Sequence, residues 1–194
     1  MKTDQVGVWD PLVRVFHWGL ATTFAAAWLT QEQHYDRHLV AGYAVLALVA
    51  ARVVWGFVGT RHARFGDFVR RPGAVSRYLA QAARGHAPRY VGHNPAGGAM
   101  ILALLVSMLV VTLSGVALDA AENRAGPLGE TTLFLYAETI VRIHVVATNV
   151  SLVLVALHLL GVVHTSLAQG ENLVRAMITG TKRREGPPVG QRLD

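Results

Sequence analysis

The chain has 194 residues, 52% of them apolar and only 15% charged, with a net charge of +6. So much apolar sequence with so little charge excludes an ordinary soluble domain. The absence of cysteine excludes disulfides, thiolate-held iron–sulfur clusters and the C-x-x-C-H attachment of a covalent haem. A haem would have to be held non-covalently, and any metal would depend on His, Met or carboxylate.

Four stretches reach or approach the ~20 apolar residues that cross a bilayer, at residues 11–29, 39–58, 96–118 and 140–167. The first begins with Asp10 as a cap and Pro11 in the first turn. It is long for a secretory signal and no small-residue cleavage pattern follows it, so it reads as a retained span. The second, "LVAGYAVLALVAARVVWGFV", is interrupted only by Arg52. The connection 60–93 contains "GAVSRYLAQAARG", where Val75, Leu79 and Ala82–Ala83 recur at helical spacing. That predicts a short helix at the membrane surface. The third span starts as the first does, with Asn94 as cap and Pro95 after it. The fourth is "RIHVVATNVSLVLVALHLLGVVH" and its flanks. The tail 181–194, with Lys182, Arg183 and Arg184 followed by "GPPVGQRLD", reads as disordered. Residues 1–180 thus form one all-α membrane domain, a four-helix bundle.

Charge orients it. The connection 60–93 carries Arg61, Arg64, Arg70, Arg71, Arg77, Arg84 and Arg89, and Lys2 and Arg14 stand near the start. The other two connections are poor in base: one has Arg37, the other Arg124 against Asp119, Glu122, Glu130 and Glu138. The positive-inside bias places both termini and the 60–93 connection in the cytoplasm. The same bias explains the basic residues without nucleic acid.

Histidine within such helices is costly and marks function. His144 and His158 are fourteen residues apart, just under four helical turns, so they share a face about 21 Å apart along the axis. His38 opens the span that enters from the periplasmic side, and His17 opens the one that enters from the cytoplasmic side. Two level pairs result: His38 with His144 near the periplasm, His17 with His158 near the cytoplasm. Each pair comes from different helices, which is the geometry of two six-coordinate b haems stacked across the membrane. The second ring nitrogen of each ligand then needs a backbone carbonyl or another acceptor. Gly19, Gly42 and Gly161 follow these histidines closely and leave room for a flat macrocycle, although helix packing alone also favours glycine.

Arg52 follows His38 by fourteen residues and shares its face, at the depth of the His17/His158 pair. It can bind a haem propionate or snorkel to the interface. Arg14 and Arg142 are weaker candidates for propionates, with surface anchoring as their main expectation. His34, His62, His86 and His93 fall in connections and are expected to be solvated. His164 lies near the boundary, an interface residue or a partner for a quinone headgroup.

The stretches "WDPLVRVFHWGL", "RHLVAGYAVLALVAARVVWGF" and "HNPAGGAMILALL", with the His–14–His of the last span, resemble the prokaryotic cytochrome b561 family. That family belongs to a wider group with the b-type cytochrome subunits of nickel–iron hydrogenases. The resemblance runs from about Trp9 to Met177. It implies a dihaem bacterial inner-membrane protein that passes electrons between the quinone pool and a partner, with His17, His38, His144 and His158 as iron ligands.

Bis-histidine ligation leaves no open iron position, so outer-sphere electron transfer is the expected chemistry and no catalytic acid or base is assigned. The leading expectation is a quinol-linked conduit to a periplasmic redox partner, a c-type cytochrome. The alternatives are a superoxide oxidase that reduces quinone, the haem anchor of a hydrogenase or formate dehydrogenase, and, in a different class, a non-redox haem carrier or assembly module.

Overall fold

The computed structural model describes residues 5–183. The elements in chain order are β1 (Gln5–Gly7), α1 (Pro11–Thr30), α2 (Tyr35–Val58), a 3-10 turn (Arg61–Ala63), α3 (Phe65–Phe68), α4 (Pro72–Ala83), α5 (Pro95–Asn123), a second 3-10 turn (Leu133–Tyr136), α6 (Ala137–Gln169), α7 (Leu173–Thr179) and β2 (Thr181–Arg183). The surface helix expected in the 60–93 connection is α4. Among the described residues, three segments are long and apolar enough to cross a membrane: Tyr35–Val58, Pro95–Asn123 and Leu133–Gln169. The 20-residue α1 is not among them. Arg14, His17 and its threonines dilute its hydropathy below that of the other three, in contrast to the fourth span expected from the sequence.

Helix starts follow the side chains that end them. Asp10 Oδ1 accepts the Val13 amide at 2.9 Å, and Asn94 Oδ1 accepts the Gly97 amide at 2.7 Å. Each satisfies one of the donors that a helix leaves open at its N-terminus.

The chain divides into two compact units. One comprises Met1–Val15, Trp55–Met100 and Leu157–Asp194; the other comprises Phe16–Val54 and Ile101–Ala156.

The first unit is built on Val8, Trp9, Val13, Phe68, Tyr78 and Ala176, all buried. Its two short strands pair antiparallel, Gln5 with Arg183, Val6 with Lys182 and Gly7 with Thr181. The segment after Gly180 therefore begins as a paired strand, in contrast to the disorder expected of it. The remainder, 184–194, lies outside the described residues. Gly180 makes the turn possible: it has φ +83°, and a Cβ there would lie 2.7 Å from the Trp9 carbonyl oxygen. Its own carbonyl accepts the amides of Val8 and Trp9 at 2.8 and 3.0 Å. Glu171 is buried and accepts from Arg89 Nη2 at 2.8 Å and from the Arg183 amide at 2.9 Å. Burial pushes the Glu171 carboxyl up, but Arg89, the Arg183 amide and Lys182 outweigh it and hold its pKa below the ordinary 4.5. Arg14 Nη1 donates to the carbonyl of Ile178 at 2.6 Å, at the C-terminal end of α7, where a cation is favoured. His93 is not solvated: its ring packs 4.4 Å from Trp9 and 4.9 Å from Phe68. His62 pairs with Asp67 at 3.0 Å.

The core of the second unit includes Val45, Val49, Leu105, Met108, Val111 and Ile140, with Ser107, Thr112, Ser114 and Ser151 buried among them. These hydroxyls donate to carbonyls of their own helix, as with Thr112 to Met108 at 2.8 Å and Ser151 to Ala147 at 2.8 Å. That is how a polar side chain is tolerated in an apolar helix. Outward positions carry large apolar residues, among them Val106, Leu113, Val146 and Val153, as lipid contact requires.

Candidate functional site

The second unit brings His38 and His144 together. Their ring centres are 6.2 Å apart and their planes meet at 82°. His38, near the start of α2, has its Nδ1 2.8 Å from the carbonyl oxygen of Ala27 in α1. His144 in α6 has its Nδ1 3.0 Å from the carbonyl oxygen of Val111 in α5. A carbonyl can only accept, so in both rings Nδ1 carries the proton and Nε2 keeps its lone pair. Ser114 Oγ lies 3.2 Å from the same Nδ1 of His144 and donates its own proton to Val111 O at 2.9 Å. Its oxygen is thereby left as a second acceptor for the imidazole N–H.

Gly115 makes that position possible. A Cβ at Gly115 would lie 3.1 Å from Cε1 of His144 and 3.5 Å from its Nδ1. Beside His38 the opposite holds: a Cβ on Gly42, one turn later, would meet no protein atom within 4 Å. Gly161 is likewise open, whereas Gly19 is in ordinary contact with Leu48 at 3.5 Å.

A polar cluster holds the ends of α2 and α5 beside this pair. Tyr35 donates its hydroxyl hydrogen to Asp119, and Asn123 Nδ2 donates to the Tyr35 oxygen at 2.8 Å and to Asp119 Oδ1 at 3.3 Å. Asp119 is only 5% exposed. Tyr35 stands one turn before His38, so the cluster fixes the part of α2 that delivers the histidine. In the sequence Asp119 reads only as one acid of a connection, and Ser114 and Gly115 carry no mark. The one legible signal was an acid at the end of an apolar span, where a buried carboxylate needs donors.

Arg52 is also in this unit and is 4% exposed, with its guanidinium 5.9 Å from the centre of the Phe16 ring. Such burial within protein is the opposite of snorkelling, which would leave the head group at the surface. His17 is half-buried, with its ring edge-on to Trp18 at 5.1 Å. In the first unit, His158 is half-buried and His164 exposed. Arg142 pairs with Glu138 at 2.5 Å on the exposed side of α6, which accounts for it as a surface residue.

A family model for prokaryotic cytochrome b561 matches residues 8–180. The chain belongs to the prokaryotic cytochrome b561 family. It is therefore a membrane b-type cytochrome of electron transfer, with haem b as its prosthetic group. No curated protein and no solved structure matches it significantly.

The donor chemistry of His38 and His144 fits a haem iron, which their Nε2 atoms would hold, since Nδ1 of each is bound to a backbone carbonyl. Both Nδ1–H groups are bound to carbonyls, the arrangement that fixes a ligating imidazole and raises its basicity. Among the described residues no three or more His, Asp or Glu side chains converge at metal-binding distance. Two imidazoles alone suit an iron whose remaining donors come from a macrocycle.

Proposed function

We propose that this cytochrome is a two-haem conduit, carrying electrons between the quinone pool and a periplasmic c-type cytochrome in the bacterial inner membrane. Haem b supplies a reversible one-electron carrier when bound. His38 and His144 hold one iron near the periplasmic side. His17 and His158 hold the other near the cytoplasmic side. Arg52 pairs with a propionate of the cytoplasmic-side haem. α1 joins α2, α5 and α6 as the fourth span, with both termini in the cytoplasm.

The observation that carries this reading is the approach of two imidazoles, each locked in the tautomer that leaves Nε2 as a donor. His38 and His144 would hold the haem, and outer-sphere electron transfer is the chemistry it would supply there. The protein's part is orientation, burial and tuning of potential. Two of the three arginines available for an anionic substrate near the outer side are already engaged: Arg142 with Glu138, and Arg124 over the Phe134 ring at 4.4 Å. That favours the conduit over superoxide oxidation.

Stopped-flow spectroscopy in proteoliposomes tests it. A short-chain quinol should reduce the haem, followed by its absorbance, and externally added oxidised cytochrome c should reoxidise it. His144→Ala should abolish the second step. Haem that responds to dithionite but never to quinol would refute the conduit.

A further inference from the structure

We propose that the first unit carries a binding site for the phosphate of an anionic phospholipid, in the groove at the start of α4. An open groove of about 790 Å³ is lined by Val69, Arg70, Arg71, Gly73, Ala74 and Arg77. All three arginines are exposed, and none forms an ion pair among the described residues. Arg70 and Arg77 donate to backbone carbonyls: Arg70 Nη2 to Asp67 O at 2.6 Å, and Arg77 Nε to Gly73 O at 3.2 Å. The nearest acid in sequence, Asp67, is already engaged by His62 at 3.0 Å and Arg61 at 3.7 Å. Three arginines that form no ion pair among the described residues therefore line one concavity.

The local chain explains why these arginines share the groove. Arg71 is the N-cap residue and Pro72 stands in the first turn of α4, which sets Arg70 and Arg71 at the mouth of the helix. Arg77 is one and a half turns on. The positive end of the helix adds to the same field. Guanidinium groups bind phosphate oxygens by paired hydrogen bonds. Val69, 37% exposed, gives the groove an apolar lip where an acyl chain can lie, and this selects a phospholipid over free phosphate. The site lies on the connection between two membrane-crossing helices, where head groups are at hand and basic pockets recruit them.

The test uses delipidated, haem-loaded full-length protein in detergent, titrated with phosphatidylglycerol and, separately, phosphatidylcholine, with bound lipid counted by native mass spectrometry. Wild type should retain phosphatidylglycerol in preference to phosphatidylcholine. The R70Q/R71Q/R77Q variant should bind it on the order of a hundredfold more weakly, at about fivefold per arginine. A control of equal charge loss elsewhere, R37Q/R84Q/R175Q, should bind it as wild type does. An unchanged haem spectrum certifies the fold of each variant. If the triple variant loses haem, Arg71→Gln alone should still show the fivefold loss. Equal phosphatidylglycerol binding by R70Q/R71Q/R77Q and wild type would overturn the site. Displacement by inorganic phosphate at the lipid's own concentration would overturn the lipid as its ligand.

Discussion

His38 and His144 face each other across 6.2 Å, and each ring is anchored through Nδ1 to a carbonyl of a neighbouring helix, Ala27 for one and Val111 for the other. α2 is thus tied to α1, and α6 to α5, by the group that also fixes each imidazole's tautomer. Imidazole orientation and helix packing are the same set of bonds.

Replacing either member should cost one haem. If His38 and His144 hold one iron, and His17 and His158 the other, His38→Ala or His144→Ala removes one donor from one haem and none from its companion. The expected product holds one haem per chain with a low-spin spectrum, counted by pyridine haemochrome assay. Retention of two would break the pairing.

Gly115→Ala tests the closeness of α5 to His144. The new methyl would sit 3.1 Å from Cε1, so the ring must move by a few tenths of an ångström and its bond to Val111 must lengthen. Haem content should hold, while the reduction potential and the electron paramagnetic resonance of one haem shift. The second haem serves as the internal reference. Unaltered signals from both would mean that His144 does not ligate at this position.

Arg52→Gln removes a buried cation from the second unit. If the guanidinium neutralises a propionate, the oxidised iron gains relative to the reduced one, and one midpoint potential falls. Arg52→Lys should recover only part of the loss, because an ammonium lacks the paired donors of a guanidinium. A redox titration with both midpoints unmoved would return Arg52 to a packing role.

Acid should loosen the first unit. Burial pushes the Asp10 carboxyl up, but hydrogen bonds from Thr60, Val13 and Trp55 outweigh it, and its pKa stays below the ordinary 3.8. Glu171 is lowered in the same way from 4.5. A carboxyl lowered in the folded state contributes stability that is complete above its unfolded pKa and is lost as pH falls through the folded one. Thermal midpoints should therefore drop below about pH 4.5. Asp10→Ala should cost about 1 kcal/mol at neutral pH through the lost cap, and Glu171→Gln should flatten the acid limb. An acid limb unchanged in Glu171→Gln would contradict this account.

What the sequence made legible is what local chemistry decides. Asp10–Pro11 and Asn94–Pro95 mark helix starts because capping needs only neighbouring residues. The fourteen-residue spacing of His144 and His158 follows from the helical repeat alone. The contact between His38 and His144 also follows, once opposite ends of alternating helices are set level. The acceptors of Nδ1 do not, since any carbonyl in an apolar helix reads alike. Gly115 matters only because His144, twenty-nine residues away in the chain, packs on it. His93 reads as a loop residue, yet Trp9 and Phe68 enclose it. The strand at Thr181–Arg183 needs Gln5–Gly7, at the other end of the chain, as its partner. Contacts of that range leave no periodic mark.

Haem content per chain of detergent-purified protein, with oxidised and dithionite-reduced spectra, tests the central claim most directly. The account requires two low-spin b haems per chain, with sharp reduced bands. A single haem, or a high-spin spectrum with an open axial position, would contradict the pairing of His38 with His144 and of His17 with His158.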